Sequence, residues 1–251
     1  MANTAAAAAD LIPAAIPAPS TAERARGAAR GLRQRAVADV KRSLVLAAAR
    51  SAFIELGLEG ASLREIAKRA GYTPGAIYSY FASKEEVYGA LLGESLERLN
   101  ACVEAAMPAA TRSRTTLVVM PVRVPVPVLR AKAMAFFDFY RENPRDLDLG
   151  FYLFHGMQPR GLTPALNERL NARLRDALAP TERGLIDIGM RTADARLEVT
   201  ALFAHIVGLL LLSHTGRIRM FGQASTTLFE RYLDALVARA LAASKPRGVR
   251  P

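Results

Sequence analysis

The apolar residues of this chain recur every three or four positions from Asp39 onward, which predicts helices. The first predicted helix runs from Asp39 to a stop at Gly57, since glycine is the usual residue just past a helix end. Its apolar residues are Val45, Ala48, Ala49, Phe53 and Leu56. Residues 1–35 lack this periodicity and are rich in alanine, proline and arginine, so we expect a disordered arm there.

Three further helix starts carry N-terminal capping signals. Ser62 and Ser83 are each followed three residues later by a glutamate, which is capping-box spacing. Between them, Thr73 is a favourable N-cap, and the proline after it loses no hydrogen bond at the first helical position. The pattern predicts a second helix over SLREIAKRA that ends at Gly71, a short third helix, and a long fourth helix that ends before Pro108.

Residues 111–128 interrupt the helical pattern. They are rich in β-branched residues and contain Pro121, Pro125 and Pro127, which do not fit a helix interior. We expect an extended connection there, with a single strand as the alternative. Helical periodicity then returns and predicts helices at 129–142, 145–156, 163–179, 181–191, 195–215 and 224–243.

The tight glycine turn between the second and third helices is typical of a helix-turn-helix unit. In such a unit the second helix enters the DNA major groove with its N-terminal residues, and the preceding helix crosses the backbone. The predicted fold is therefore all-α, with a three-helix helix-turn-helix DNA-binding domain at the N-terminus and a larger C-terminal helical domain. We place the disordered arm at 1–35, the DNA-binding domain at 36–92, the larger domain at 93–243 and a basic tail at 244–251.

The segment GYTPGAIYSYFASKEE, residues 71–86, separates its residues by direction in this arrangement. Ile77 and Phe81 are four residues apart, so we expect both to face the core. Residues 73–76 have small or short side chains, which let the backbone approach the base edges and offer apolar contact to thymine methyl groups. Tyr78 and Tyr80 lie off the core face and can donate to phosphates without adding charge.

An ordered set of motifs in residues 40–92 resembles the DNA-binding domain of the tetracycline-repressor (TetR) family of transcriptional regulators. The shared pattern is Ala-Ala then Phe-x-x-x-Gly, next Ile-Ala-x-x-Ala-Gly, and finally Gly-x-x-Tyr-x-x-Phe-x-x-Lys-Glu-Glu. The resemblance implies a homodimer, a ligand-binding and dimerisation role for residues 93–243, and repression relieved by a small molecule. The DNA-contacting positions that it implies are Ser62, Arg64, Thr73, Pro74, Gly75, Tyr78, Tyr80 and Lys84.

The chain departs from the family pattern at four positions. Leu58 stands where an aromatic residue is common, and Ala61 stands where threonine is frequent, which removes one hydroxyl contact. Tyr80 stands where histidine is common. Tyr72 replaces the usual small aliphatic residue in the turn, and it either packs on the core or reaches the DNA backbone.

The net charge of +11 and the isoelectric point of about 10.4 favour a polyanionic partner. Residues 20–84 hold 12 Lys/Arg against five Asp/Glu. The basic residues at 24–42 either follow DNA phosphates and the adjacent minor groove or only make the arm soluble. Lys84 falls in the first turn of a helix, where a cation is unfavourable, and a nearby phosphate would explain its position.

The C-terminal domain concentrates aromatic residues between 134 and 157. Aromatic residues at helical spacing belong more often to a core than to a ligand site, but these cannot all share one helix face. The implied cavity would use some of them as walls, together with a few polar groups. The candidate ligand-binding residues, for an apolar or aromatic small-molecule effector, are Phe137, Tyr140, Tyr152, His155 and Phe203.

The last two predicted helices, at 195–215 and 224–243, are long and apolar on more than one side. Paired with their symmetry mates, they would form a four-helix homodimer interface. The alternative is that they complete the core of the monomer. The apolar run 199–213 is short for a membrane span and contains His205, so a core or interface helix is the better interpretation.

Nothing in the residue spacing indicates an enzyme. The three histidines lack the spacing of helical metal ligands, and Cys102 has no partner motif, so we expect no catalytic site, metal or cofactor. A single cysteine fits a reducing interior, so we expect a cytoplasmic protein with no membrane partner. The predicted function is a transcriptional regulator that binds a palindromic operator in double-stranded DNA, most simply as a ligand-released repressor.

Two alternative functions remain open from the sequence. The first is a helical ligand- or protein-binding module with a vestigial DNA-binding domain. Against it, the chain retains the outward polar residues Thr73, Tyr78, Tyr80 and Lys84. The second is a protein that binds a membrane surface through its basic arm.

Overall fold

The computed structural model describes residues 21–108, 125–151 and 162–244, and within these ranges it contains helices and no strand. The all-α prediction is confirmed. The helices are α1 (Thr21–Gly60), α2 (Leu63–Ala70), α3 (Pro74–Tyr78), α4 (Lys84–Ala105), α5 (Pro125–Glu142), α6 (Pro144–Phe151), α7 (Pro164–Ile188), α8 (Thr192–His214) and α9 (Ser225–Ala243). A short 3₁₀ helix, Arg219–Phe221, precedes α9.

Helix α1 begins at Thr21, well before the predicted start at Asp39. Residues 21–35, which were expected to be disordered, are therefore helical, and residues 1–20 lie outside the described ranges. Alanine, arginine and glutamine are strong helix formers, but every residue from 32 to 44 is exposed. Because this part of α1 buries no apolar face, the hydrophobic periodicity could not indicate it.

The chain divides into two compact units, Met1–Leu44 and Val45–Pro251. In the second unit, Val45, Ala49 and Phe53 of α1 are buried in the hydrophobic core, as predicted. The predicted stop at Gly57 is confirmed, because this residue leaves helical geometry with φ of 70° and ψ of 171°. Leu56 is exposed, so the buried face of α1 ends just before the stop.

Helix α5 begins at Pro125, four residues before the predicted start at 129. Pro125 and Pro127 lie in its first turn, where the backbone N–H groups have no partner within the helix, so neither proline breaks a hydrogen bond there. The expected extended connection is thus wrong for residues 125–128, and residues 111–124 lie outside the described ranges.

Helix α7 runs without interruption through Pro180, where two helices, 163–179 and 181–191, were predicted. Buried residues flank the proline on both sides, with Ala177 before it and Thr181 and Leu185 after it. This packing holds the helix continuous despite the hydrogen bond that a proline removes. A local breaker signal is overridden here by tertiary contacts.

The remaining C-terminal helices follow the prediction. Helix α6 begins one residue before the predicted 145, and residues 152–161 lie outside the described ranges. Helices α8 and α9 correspond to the predicted 195–215 and 224–243. Helix α4 packs on α5, α6 and α7, while α8 packs on α5, α7 and α9. Helices α4, α5, α6 and α7 therefore surround the part of the core that contains the cavity described below.

Candidate nucleic-acid interface and ligand cavity

The turn between α2 and α3 is closed by backbone hydrogen bonds. Gly71 adopts a left-handed conformation with φ of 72°, and its N–H donates to the carbonyl of Lys68 at 3.2 Å. The N–H of Tyr72 donates to the carbonyl of Ala67 at 2.9 Å. The ring of Tyr72 is half-buried and packs against the core, which supports the first of the two roles considered for this residue.

Helix α3 is capped and anchored as its sequence predicted. The hydroxyl of Thr73 accepts a hydrogen bond from the N–H of Ala76 at 3.4 Å, and Pro74 opens the helix. Ile77 is fully buried and Phe81 is nearly so. The carbonyl of Ile77 accepts hydrogen bonds from the N–H groups of Tyr80 and Phe81 at 2.8 and 3.0 Å. These contacts fix which face of this five-residue helix points outward.

The outward surface of α2 and α3 contains most of the predicted DNA-contacting residues. The side chain of Tyr78 is 58% exposed, an unusual position for an aromatic ring that could pack on the core. Tyr80 and Lys84 are half-buried at the edge of this surface. The exposed members of the predicted set are Ser62, Arg64, Thr73, Pro74, Gly75 and Tyr78.

Arg69 links α2 to α1 through hydrogen bonds and ion pairs within the protein. Its guanidinium donates to Glu65 at 2.7 Å, lies 2.9 Å from Glu55 and donates to Ser51 at 3.1 Å. The hydrogen bond to Glu65, then that to Glu55, raises the pKa of Arg69, and the hydrogen bond from Arg69 lowers the pKa of Glu55. Arg64, in contrast, is exposed on the outward surface.

A cavity of about 260 Å³ opens between α4, α5, α6 and α7. Its walls are mainly leucines, and two asparagines of α7 stand exposed at its mouth. Its volume is slightly below the range of roughly 300–1,000 Å³ that is typical of small-molecule sites. The lining residues within the described ranges are Leu92, Leu96, Tyr140, Gly150, Phe151, Leu162, Asn167, Leu170, Asn171 and Leu174.

The structure separates the predicted ligand-binding residues. Tyr140 lines the cavity, and burial raises the pKa of its hydroxyl. Phe137 is fully buried and stacks on Phe229 with ring centroids 4.4 Å apart, so it belongs to the core. Phe203 contacts the ring of the cavity residue Phe151 at 5.6 Å between centroids. The other two candidates, Tyr152 and His155, lie outside the described residues.

The sequence analysis did not identify the leucines and asparagines of the cavity. Asn167 and Asn171 are four residues apart, so they share one face of α7 with Leu170 and Leu174. This mixture of amides and leucines on one helix face was the available signal. The aromatic residues between 134 and 157 are the stronger sequence signal, but Phe136, Phe137 and Phe139 are buried in the core.

A buried carboxylate on α6 joins the cavity region to Arg50 of α1. Asp146 is 4% exposed, and its Oδ1 accepts a hydrogen bond from Arg98 Nη2 of α4 at 2.5 Å. The same oxygen lies 3.6 Å from Arg50 Nη1 of α1. Helix α6 therefore contacts α1 through Asp146 and lines the cavity through Gly150 and Phe151.

The ring of His205, a residue of α8, packs against α9. Its ring stacks on Tyr232 with centroids 4.1 Å apart, and Tyr232 in turn lies 5.8 Å from the guanidinium of Arg239, which pairs with Glu198. Among the described residues, the buried Nε2 of His205 has no hydrogen-bond partner. Burial lowers the pKa of this histidine, so it is held neutral.

Acidification is expected to destabilise the fold through His205. Because its pKa is lower in the folded than in the unfolded chain, the unfolded chain takes up the proton first as the pH falls below about 6.5. The free energy of unfolding, measured in urea between pH 7.5 and 5, should fall with pH. The fall in unfolding free energy should be smaller in His205→Phe, which keeps a stacked ring at this position. In the exposed control His214→Phe, it should be as large as in wild type. Superimposable pH curves for all three proteins would contradict this role.

Comparisons with known proteins match two segments of the chain to one family. Residues 45–91 match the family model of bacterial regulatory proteins of the tetR family, and residues 129–236 match the tetracyclin repressor-like C-terminal domain. Over 113 residues the chain is 33% identical to the HTH-type transcriptional activator FasR of Mycolicibacterium smegmatis. That match covers 45% of this chain and 46% of FasR, so it spans about half of the relative's length.

Solved structures show the same fold along most of the chain. A bacterial regulatory protein of the tetR family from Rhodococcus RHA1 aligns with a TM-score of 0.56 at 19% identity, over 81% of this chain and 96% of that one. The transcriptional regulator FadR from Bacillus subtilis, solved in complex with stearoyl-CoA, aligns with a TM-score of 0.52 at 19% identity, over 78% and 97%. The chain belongs to the TetR family of bacterial regulatory proteins.

Proposed function

We propose that this protein is a sequence-specific DNA-binding transcriptional regulator, active in the cytoplasm, whose affinity for its operator is set by a small molecule in the α4–α7 cavity. The observation that carries the proposal is the exposed surface of α2 and α3. Its core residues Ile77 and Phe81 are buried, while Thr73, Gly75 and Tyr78 are directed outward. The exposed ring of Tyr78 contributes little to packing, so its position favours a contact with DNA over a vestigial domain.

Side-chain chemistry indicates which residues of this surface contact base edges and which contact phosphates. Residues 73–75 stand at the N-terminus of α3, the part of a recognition helix that reads base edges. Ser62, Arg64, Tyr78, Tyr80 and Lys84 surround them and offer hydroxyl and cationic donors to phosphates. Lys84 is the first residue of α4, at the edge of this surface, where it offers a cationic donor to a phosphate.

The proposed effector places a largely apolar chain and an uncharged hydrogen-bonding group in the cavity. Leucine walls favour an aliphatic chain, and the amides of Asn167 and Asn171 with the Tyr140 hydroxyl can bond to a carbonyl or hydroxyl. The alignment with a FadR solved in complex with stearoyl-CoA supports a long-chain acyl compound. Of the remaining candidates, Phe203 is proposed to support the cavity wall through its contact with Phe151. Phe137 packs in the core, and Tyr152 and His155, which lie outside the described residues, stay predictions.

Filling the cavity should block the effector without disturbing DNA binding. A methyl group at Gly150 would lie 3.9 Å from both Leu92 Cδ1 and the Tyr140 hydroxyl, an ordinary contact distance, so Gly150→Ala should behave as wild type. Gly150→Phe should occupy the cavity and weaken binding of stearoyl-CoA about 100-fold or more, as measured by calorimetry. Operator affinity without effector should be unchanged. Equal effector affinity in both variants would show that the ligand binds elsewhere.

The proposed homodimer forms through α8 and α9. Of the most apolar 18 residues of α8, only 33% are buried, although this helix is apolar enough to span a membrane by length and composition. Leu197 and Leu212 are 70% and 44% exposed. Between them lie the exposed small residues Ala201, Ala204 and Gly208, which would allow close approach of a second helix. A second copy would cover this apolar face isologously.

Gly208→Trp tests this interface. No atom of the described residues lies within 4 Å of the Cβ position at Gly208, so these residues leave room for the side chain, which would stand between paired α8 helices. The dimer dissociation constant, measured by sedimentation, should rise about 100-fold or more, and operator affinity should fall with it. The matched control is Ala101→Trp on the exposed face of α4. A stable dimer in the Gly208 variant would move the interface to another surface.

The direction of regulation is tested by transcription in vitro from a promoter that carries the bound sequence. A repressor, which we propose as the simplest mode, lowers transcription and is released by the effector. FasR is described as an activator, and an increase in transcription on addition of the protein would assign that mode here. Transcription that responds neither to the protein nor to effector would overturn regulation itself.

A further inference from the structure

The N-terminal part of α1 forms a unit of its own that precedes the family domain. We call residues 21–44 the basic extension; the family match begins at Val45, the first buried residue in the part of α1 whose burial is described, from residue 28 onward. Every residue from 32 to 44 is exposed. The charged residues of the basic extension are Arg24, Arg26, Arg30, Arg33, Arg35, Lys41 and Arg42 against Glu23 and Asp39.

A helix of this kind gains little from its own packing. Arg30, Arg33, Gln34 and Val37 line one shallow groove on its surface, so two positive charges share one face of the helix. Lys41, one turn beyond Val37, extends the same face. An exposed helix with like charges at such spacing is destabilised by their repulsion, and a polyanion would relieve it.

We propose that the basic extension binds the phosphate backbone of the DNA that flanks the operator. The proposal rests on the proposed DNA-binding function, because the same chain carries α2 and α3. Once those helices are bound, the tethered basic extension meets nearby phosphates at a high effective concentration. Twenty-four helical residues span about 36 Å, which corresponds to roughly ten base pairs of duplex.

The chemistry of the basic extension favours DNA over two other partners. A second copy would bring the same surplus of positive charge against it, which is repulsive. A membrane-surface helix would be anchored by aromatic residues in a broad apolar face, and residues 21–44 contain no Phe, Tyr or Trp. The exposed apolar residues Val37, Val40 and Leu44 share their stripe with Arg30 and Arg33. Anionic DNA matches the charge and needs no deep apolar contact.

The test compares two full-length triple variants with equal loss of charge. The first is Arg30→Gln, Arg33→Gln and Lys41→Gln, in which glutamine keeps the helix propensity. The control removes three exposed arginines of α7 instead: Arg169→Gln, Arg175→Gln and Arg183→Gln. Operator affinity is measured by fluorescence anisotropy from 50 to 300 mM NaCl, on a duplex with the operator alone and on one with ten further base pairs at each end.

Wild type should bind the longer duplex about tenfold more tightly at 50 mM NaCl, and the advantage should shrink with salt. The first variant should lose this advantage, and the slope of log affinity against log salt should fall by about two to three units per protomer. The control should keep the tighter binding to the longer duplex and the wild-type salt slope. Sequence preference should be unaltered in all three proteins, because phosphate contacts carry no sequence information.

Distinct results would overturn the inference and the proposed function. If all proteins bind the operator with the same salt slope and no effect of duplex length, the basic extension does not contact DNA. If the first variant alone loses binding to phosphatidylserine vesicles, or alone changes its dimer constant, the partner is a membrane or a second copy. If wild type binds no DNA sequence preferentially, the proposed function itself fails.

Discussion

Replacing Gly75 by leucine is expected to abolish operator binding and to leave the fold unchanged. In the part of the chain that the structure describes, no atom lies within 4 Å of the Cβ position at Gly75. Gly75 is also exposed, and leucine is a better helix former than glycine. In the complex, however, the N-terminus of α3 would lie against the base edges in the major groove. A leucine would hold the helix away from them, and the contacts of Thr73 and Pro74 would be lost with it.

The expected loss of affinity is about 100-fold or more, equivalent to about 3 kcal/mol, which is the cost of one or two lost base contacts. Anisotropy with the operator gives the dissociation constant, and thermal unfolding gives the stability. The control Ala101→Leu adds the same bulk to an exposed position of α4 and should change neither. Wild-type affinity in Gly75→Leu would mean that α3 does not face the DNA.

Asp146→Asn is expected to lower the free energy of unfolding by about 2 kcal/mol. The substitution leaves Arg98 and Arg50 without their buried anion, and breaking a fully buried ion pair costs roughly 3–5 kcal/mol. The expected value is smaller because both arginine side chains are partly exposed, by 49% and 31%. Asparagine has nearly the same shape, so loss of charge rather than of volume is tested by denaturant unfolding.

Asp234→Asn provides the matched control. Asp234 makes an ion pair of similar length, 2.6 Å from Arg130, but its side chain is 67% exposed. Its replacement should cost less than about 1 kcal/mol. Equal destabilisation by the two substitutions would show that burial of Asp146 contributes nothing to the free energy of unfolding.

Asp146→Asn should also weaken the effect of the effector on operator affinity, because α6 contacts both α1 and the cavity.

The helix-turn-helix could be predicted from the sequence because its signals are local. A capping threonine, a following proline and a left-handed glycine act within a few residues of their position, and the structure has each of them in its expected role. Ile77 and Phe81 were assigned to the core by spacing alone. The outward direction of Tyr78 then followed from the helical period, without any knowledge of distant contacts.

The errors in the predicted fold came from features that local signals do not determine. Pro180 stays inside α7 because buried neighbours on both sides hold the helix, and such contacts are not visible in a pattern. Residues 21–35 are helical, but their apolar residues do not recur at helical spacing. The hydrophobic periodicity therefore could not indicate this part of α1. The cavity is formed by leucines from α4 and α7, residues far apart in sequence, and only tertiary packing brings them together.

The central claim is that this chain recognises a specific operator, and selection from genomic DNA tests it most directly. Purified full-length protein is incubated with genomic fragments in excess competitor DNA, and the bound fragments are sequenced. We expect enriched fragments that share an inverted repeat, with half-sites about one helical turn or a multiple of it apart. The same selection with Gly75→Leu should recover none of them. If wild-type protein enriches no sequence over the competitor, operator recognition is contradicted.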